Sequence, residues 1–312
     1  MLYLSVQTDP GYISPLNHEE HLCLYPYDHV LFYPGLICST CQLPKPARSK
    51  HCRICKQCVA KNDHHCVWIN NCVGYGNYHY FLLLLLTTGL LMNYAAYLGY
   101  KLMNATIQAE ARVIAISQGT DIAKIASRHW SSGLSWTEYI NTWSWALAQD
   151  VGLGAVSLLC FMCAPLAHGL LIYHLYLIWA GMTTNESAKW ADAKEDIAEG
   201  LLWRSTRSVI SSSNKSARWS AGELVTAEEV EPALSTPWPN TTDQVLKCVE
   251  FGHDPEQQTG AARAKADDHW TQVRSLQEIV NLYDVGFWEN MRDIFGQRQR
   301  RRSGYRSVDH TA

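Results

Sequence analysis

The chain has 312 residues and a formal net charge of −3. That balance argues against nucleic acid as a partner, because nucleic-acid binders carry a basic surface. The hydrophobic content of 47% is ordinary in amount but lopsided in distribution, and the lopsidedness points to a mainly α, polytopic membrane protein.

Taken in chain order, residues 1–37 form a short cytosolic lead-in with Pro10, Pro15, Pro26 and Pro34 and no long apolar run, so no signal peptide is expected there. Residues 38–79 are a compact Cys/His block that holds seven of the eleven cysteines. From Tyr80 to Tyr100 there is no charged residue, and from Val151 to Asn185 there is none again. Each run exceeds the ~20 residues that cross the hydrocarbon core as a helix. Tyr78, Tyr80, Tyr97 and Tyr100 flank the first run, and Trp143, Trp145 and Trp179 the second, as an interfacial aromatic belt does. Transmembrane helices are therefore expected over 80–103 and 151–182, joined by a lumenal loop over 104–150. His168 and His174 lie inside the second run, where each needs a partner, a cavity or the interface. Asn104-Ala-Thr106 matches a glycosylation acceptor but abuts the membrane and is expected to stay unused.

The Cys-rich block carries Lys45, Arg48, Lys50, Arg53, Lys56 and Lys61 against the single acid Asp63, whereas the 104–150 loop is balanced. The positive-inside rule puts the block in the cytosol, and two spans return residues 183–312 to the same side. Cytosolic thiols stay reduced, so the cysteines point to metal rather than to disulfides. In the tail, 187-SAKWADAKEDIAEGLLW-203 reads as a helix ended near Gly200, and 205–243, rich in Ser, Thr and Pro, reads as a linker. The insert as a whole runs to about residue 265. Helical periodicity returns over 267–296, where Val273, Leu276, Ile279 and Val280 are spaced like one helix face. The basic run 298-RQRRR-302 suits contact with anionic lipid or a solvated tail.

Cys38-x₂-Cys41, Cys52-x₂-Cys55-x₂-Cys58 and Cys72 have zinc-like spacings. With Cys66, His51, His64 and His65 they make ten candidate ligands. Two closed, four-coordinate zinc sites consume eight and leave one Cys and one His over. Asp63-His64-His65-Cys66 contains the only Cys with an acid and two imidazoles beside it. In an extended segment alternate residues face opposite ways, so His64 and Cys66 share a face while His65 turns into the metal shell with Cys72. A spare thiol beside an imidazole and an acid is the constellation of thiol nucleophilic catalysis. The competing reading makes Cys66 one more ligand in a loosely filled cluster.

The string Cys38-x₂-Cys41-x₉-His51-Cys52-x₂-Cys55-x₂-Cys58-x₄-Asp63-His64-His65-Cys66-x₅-Cys72, continuing into 74-GYGNYHYF-81, closely resembles the Cys-rich domain of the DHHC protein S-acyltransferases. Thr183-Thr184-Asn185-Glu186 is similar to that family's TTxE motif, and Asn281-Leu-Tyr283 reaching to Asn290 to its C-terminal aromatic motif. Each motif also has a plainer reading. Thr183-x-x-Glu186 is a capping box, and 281-NLYDVGFWENMRDIF-295 suits an amphipathic helix on the bilayer.

The resemblance implies that Cys66 takes an acyl chain from acyl-CoA, palmitoyl-CoA above all, as a thioester, with His64 as base and Asp63 orienting it. It implies two structural Zn²⁺ ions, one on Cys38, Cys41, His51 and Cys58 and the other on Cys52, Cys55, His65 and Cys72. It places Thr184 against Asp63, and has Tyr283 and Asn290 pack the tail onto the catalytic domain. The stretch 24-LYPYDHVLFYPG-35 resembles the fungal branch that acylates SNARE proteins, which implies SNARE substrates and an endoplasmic reticulum or Golgi membrane. Family members usually have four membrane helices, two of them ahead of the Cys-rich block. Here only 37 mostly polar residues precede Cys38, so two helices are expected in this sequence, whether from a truncated gene model or from a half-sized bundle. The alternative in a different class is a non-catalytic, zinc-stabilised membrane adaptor.

Overall fold

The structure is a computed structural model that describes residues 1–117, 135–207, 238–248 and 270–295. It divides into two compact units, one of residues 1–81 with the described residues from His174 onward, the other of Leu82–Tyr173.

In the first unit the lead-in is a structural part of the Cys-rich block. A short helix α1 (Leu2–Gln7) leads to strand β1 (Tyr12–Ile13), and α2 (His18–Leu22) follows. β1 pairs with β3 (Gln57–Val59), which also pairs with β2 (Lys50–Cys52), giving a sheet in the order β1-β3-β2. A separate hairpin joins β4 (His64–Cys66) to β5 (Asn71–Val73), with His65 opposite Cys72 and Cys66 opposite Asn71. Both hairpins turn through a left-handed residue, Lys56 (φ 56°) in the first and Asn70 (φ 46°) in the second, which closes a short loop tightly. The lead-in is locked on by Gly76. A Cβ there would meet the Asp9 carbonyl oxygen at 2.1 Å, so only glycine lets the two backbones approach.

The core beneath these strands joins distant parts of the chain. Ile13, Tyr25 and Phe32 from the lead-in pack with Cys38, Ala47 and Cys58 of the block and with Trp238, Leu282 and Tyr283 of the tail. A second cluster of Val30, Leu202, Leu246, Val273 and Ile279 lies under a three-stranded sheet of β7 (Gln244–Cys248), β6 (Leu202–Thr206) and β8 (Thr271–Gln272), in that order.

Helix α3 (Tyr78–Ser117) leaves the block without a break and runs past residue 103, since no proline or glycine stops it between Lys101 and Ser117. α4 (Trp136–Gln149) carries a capping box at Ser135 and Glu138, so the described parts of the 104–150 segment are helical. α5 (Val151–Trp179) contains Pro165. Within the second unit α3 and α5 approach through small residues: a Cβ on Gly99 would lie 1.9 Å from Ser157 Oγ, and one on Gly89 would strike the His168 ring. That is how helices associate where no hydrophobic driving force exists between them. His168 supplies its own partner, donating Nδ1–H to the Ala164 carbonyl at 2.7 Å. Leu90, Leu91, Leu159, Phe161, Leu166 and Ile172 are exposed, and α3 and α5 are each long and apolar enough to cross a membrane.

The tail differs from the sequence expectation in two places. The helix expected over 187–203 is α6 (Thr184–Ala198), ended by Gly200 at φ +74°, and Leu202–Trp203 are already in β6. Of the helix expected over 267–296, the described residues form an α-helix only as α7 (Phe287–Phe295). Upstream of it come β8, a 3₁₀ turn at Leu276–Glu278 and extended chain. Val273 and Ile279 are buried as the periodicity implied, but Val280 is exposed. Apolar spacing over so short a stretch also suits a strand and a turn, and pairing with β6 decides between them. The run 298–302 and most of the 205–265 insert lie outside the described residues.

Candidate active site

Two clusters of four donors form around the hairpins. Cys38, Cys41, His51 and Cys58 converge in one, and Cys52, Cys55, His65 and Cys72 in the other. In the first, His51 Nδ1 lies 3.5, 3.3 and 3.8 Å from the three sulfurs. In the second, His65 Nδ1 lies 3.7, 3.4 and 3.6 Å from its three. A tetrahedral zinc with ordinary Zn–S and Zn–N bonds needs about 3.5 Å between sulfur and nitrogen, so both donor sets fit the ion. The Cys41 and Cys55 amides donate to the Cys38 and Cys52 sulfurs at 3.4 Å, which suits thiolates. The clusters interleave because β2 and β3 share one hairpin: Cys52 leaves toward one donor set while Cys58, on the paired strand, belongs to the other.

Cys66 belongs to neither cluster. The alternation of β4 turns His65 into the second donor set and leaves His64 and Cys66 on the opposite face, near enough for each to shift the other's ionisation. The amides of Trp68 and Ile69, in the turn after Cys66, favour the charged form of its sulfur. His64 Nδ1 donates to Asp63 Oδ2 at 2.6 Å. Asp63 is buried and anchored from α6, where the Thr184 amide donates to Oδ1 at 2.8 Å and the Thr184 hydroxyl to Oδ2 at 2.8 Å.

The electrostatics follow from these contacts. Burial resists ionisation of Asp63, but the His64 hydrogen bond and the neighbouring imidazoles outweigh it and hold the carboxyl below its ordinary range. Burial likewise works against a charged His64, yet its bond to Asp63 and the nearby Cys66 sulfur raise the imidazole to about 9. Burial pushes the Cys66 thiol up, while His64 and the two turn amides pull it down further, for a net lowering. The arrangement favours a thiolate–imidazolium pair, the reactive form of a thiol nucleophile.

The downstream motif residues meet this centre. Thr183 caps α6 in a full capping box, its hydroxyl accepting from the Glu186 amide and Glu186 accepting from the Thr183 amide. Glu186 also forms a buried bidentate pair with Arg48 at 2.7 and 2.6 Å. One motif thus serves as cap and as tie to the Cys-rich block. Arg48 lies over the Tyr283 ring, 4.5 Å from its centroid. The Tyr283 hydroxyl donates to the Pro26 carbonyl at 2.9 Å, and Asn290 Nδ2 donates to the Ile178 carbonyl at 2.9 Å. α7 is further held by Asp293, which accepts from Lys61 at 2.6 Å and from Tyr25 at 2.8 Å. Asn290, Asp293 and Ile294 are therefore buried against protein, while Trp288 on the other face is exposed. Sequence reasoning did not single out Arg48, Lys61, Tyr25 or Asp293. A basic residue in a loop of basic residues carries no signal of the acid it will meet more than a hundred positions away. His174 did carry one, as an imidazole in a charge-free run.

Residues 32–191 match the family model for the DHHC palmitoyltransferase. The chain belongs to the DHHC palmitoyltransferase family. It is 44% identical to palmitoyltransferase swf1 of Aspergillus fumigatus over 96% of this chain and 76% of that relative. It is 41% identical to palmitoyltransferase SWF1 of Neurospora crassa, over 94% of this chain and 64% of the relative. The Saccharomyces cerevisiae palmitoyltransferase SWF1 is 30% identical over 86% of this chain and 63% of its own length. Within the family the likeness is to this fungal branch, and the activity of the chain is protein S-palmitoyl transfer.

Proposed function

We propose that Cys66 is the nucleophile of a two-step acyl transfer from a long-chain acyl-CoA to cysteines of membrane proteins. The observation that supports it is the separation of roles on β4: Cys66 lies outside both four-donor clusters and shares a face of the strand with His64, whose Nδ1 is held by Asp63. In the first step the Cys66 thiolate attacks the acyl-CoA thioester carbonyl. The carbon–sulfur bond to CoA breaks, and the departing CoA sulfur takes the proton from the His64 imidazolium. In the second step His64 accepts the proton of the acceptor cysteine, whose sulfur attacks acyl-Cys66 and releases the Cys66 thiolate. One thioester is exchanged for another, so no ATP or redox partner is required. Positioning the thiolate against the carbonyl replaces a diffusional encounter.

Two Zn²⁺ ions would be held by Cys38, Cys41, His51 and Cys58 and by Cys52, Cys55, His65 and Cys72. Four protein donors each would leave no open position, and the ions would supply rigidity to the two hairpins. α3 and α5 would cross the bilayer with the Cys-rich block on the cytosolic face, as the excess of Lys and Arg in residues 38–79 favours. Tyr283 and Asn290 would keep the tail seated on the catalytic block. The acceptors we propose are juxtamembrane cysteines of SNARE-type proteins at the endoplasmic reticulum, because Cys66 precedes the apolar run that starts at Tyr80 by only 14 residues, which favours acceptors close to the bilayer.

The test is Cys66→Ser in the full chain. It should lose the hydroxylamine-labile acyl adduct and keep two zinc ions per chain. An adduct that persists in that variant overturns the assignment of the nucleophile.

A further inference from the structure

His174 stands in a stretch of α5 that is otherwise apolar, and an imidazole there is costly to bury unless the fold uses it. It is 1% exposed. Its Nδ1 is hydrogen-bonded to the Tyr78 hydroxyl at 2.9 Å and lies 4.0 Å from Asp63 Oδ2, the same carboxylate oxygen that holds His64. The His174 ring sits 5.8 Å from the His64 ring at a tilt of 34°, and the Phe81 ring is edge-on to both, at 5.3 Å from His64 and 5.1 Å from His174. His64 is therefore flanked by the Phe81 and His174 rings, with Tyr78 held to His174, while Thr184 grips Asp63 from α6.

We propose that Tyr78 and His174 are positioning residues for acyl transfer, acting through Asp63 and His64 without touching the reacting atoms. The inference rests on the reading of Asp63, His64 and Cys66 as the catalytic group. Asp63 is buried, and an apolar wall beside Oδ2 would leave that charge without a dipole on this side. The imidazole provides one in the tautomer whose Nδ1–H donates to the Tyr78 hydroxyl oxygen, which turns the positive edge of the ring toward Oδ2, and the Tyr78 hydroxyl determines how the imidazole is turned. The packed rings then limit the swing of His64, so that one nitrogen stays on Asp63 and the ring stays beside Cys66. The site needs polarity at this point of α5 as well as bulk.

This separates a positioning role from a packing role. His174→Leu keeps the volume and removes the polar edge. His174→Asn returns a polar atom near the place of Nδ1 with less volume. Tyr78→Phe deletes one hydroxyl and is the variant that folds if His174→Leu does not. The experiment measures autoacylation kinetics of the full chain with palmitoyl-CoA, together with zinc content and thermal transition. Tyr78→Phe should lower kcat about fivefold and His174→Leu about 10- to 30-fold, with KM within twofold and two zinc ions retained. The double variant should be no slower than His174→Leu alone, and His174→Asn should recover most of the rate.

A kcat within twofold of wild type in Tyr78→Phe and His174→Leu overturns the inference. So does a His174→Asn as slow as His174→Leu, which would show that volume alone matters. Asp63, His64 and His174 also converge closely enough to hold a metal. A third zinc per chain that disappears in His174→Leu would replace positioning by metal binding and overturn it too. Cys66→Ser, run in parallel, separates the two levels. If it abolishes the adduct while the Tyr78 and His174 variants are unaffected, only this inference fails. If it keeps the adduct, the assignment of the nucleophile fails.

Discussion

Two adjacent threonines provide the sharpest test of how α6 serves the proposed catalytic group of Asp63, His64 and Cys66. Thr184 reaches Asp63 with both its amide and its hydroxyl, each at 2.8 Å. Thr183, one residue earlier, caps α6 and donates its hydroxyl to the Asn62 carbonyl at 3.2 Å. Thr184→Val removes one of the three protein hydrogen bonds described here on the Asp63 carboxylate and leaves the amide bond and the His64 bond in place. A hydrogen bond to a charged group contributes about 1.5–3 kcal/mol. Because Oδ2 keeps its bond to His64, the lower end applies, and ~1.5 kcal/mol on the barrier is roughly a tenfold loss of rate. Thr183→Val should act differently. Loss of a cap costs about 1 kcal/mol of stability, and the geometry at Asp63 is touched only through the Asn62 carbonyl. Single-turnover autoacylation with a fluorescent acyl-CoA, beside thermal unfolding, separates the two. Thr184→Val should be slow and nearly as stable as wild type, and Thr183→Val less stable with a rate within about threefold. A Thr184→Val rate within twofold of wild type would refute the claim that the hydroxyl holds Asp63 for the reaction.

Other outcomes follow from the same geometry. The rate of Cys66 alkylation, taken as the difference from Cys66→Ser, should stay high below the ordinary thiol range because the thiol is lowered, chiefly by His64 against burial. In His64→Ala only burial and the turn amides remain, so the inflection should move to higher pH; an unmoved inflection would dissociate the pair. Cys38→Ser should lose one zinc and the cooperative unfolding transition together, since a structural zinc site is part of the folding free energy; a stable apo fold measured by calorimetry would contradict it. Glu186→Ala strands the buried Arg48 guanidinium and should cost about 3–5 kcal/mol, whereas Arg48→Met with Glu186→Leu should recover much of it. A denaturation series in which the double variant is no better than the single would argue against the ion pair as the tie between α6 and the block.

Some of this protein is local and some is not. The run from Cys38 to Cys72 states its own chemistry, because knuckle spacings and alternation along β4 are short-range geometry: ten donors, two closed ions and one surplus Cys–His pair can be counted without coordinates. The apolar runs declare α3 and α5 for the same reason, since helix length against bilayer thickness is a property of the segment itself. Spacing could not sort the donors between two ions. That partition depends on β2 and β3 sharing a hairpin, and on β4 facing β5. Nor could it say that the lead-in supplies a strand to the Cys-rich sheet, that Val273 belongs to a strand-and-turn segment, or that Tyr283 reaches the Pro26 carbonyl. Arg48 with Glu186, Lys61 with Asp293 and His174 beside Asp63 are pairings across 138, 232 and 111 positions. Side chains so far apart in sequence meet only when burial of Ile13, Tyr25 and Tyr283 in one core brings their backbones together. A buried charge is then tolerable only where its partner has already been delivered, so tertiary packing chose these contacts.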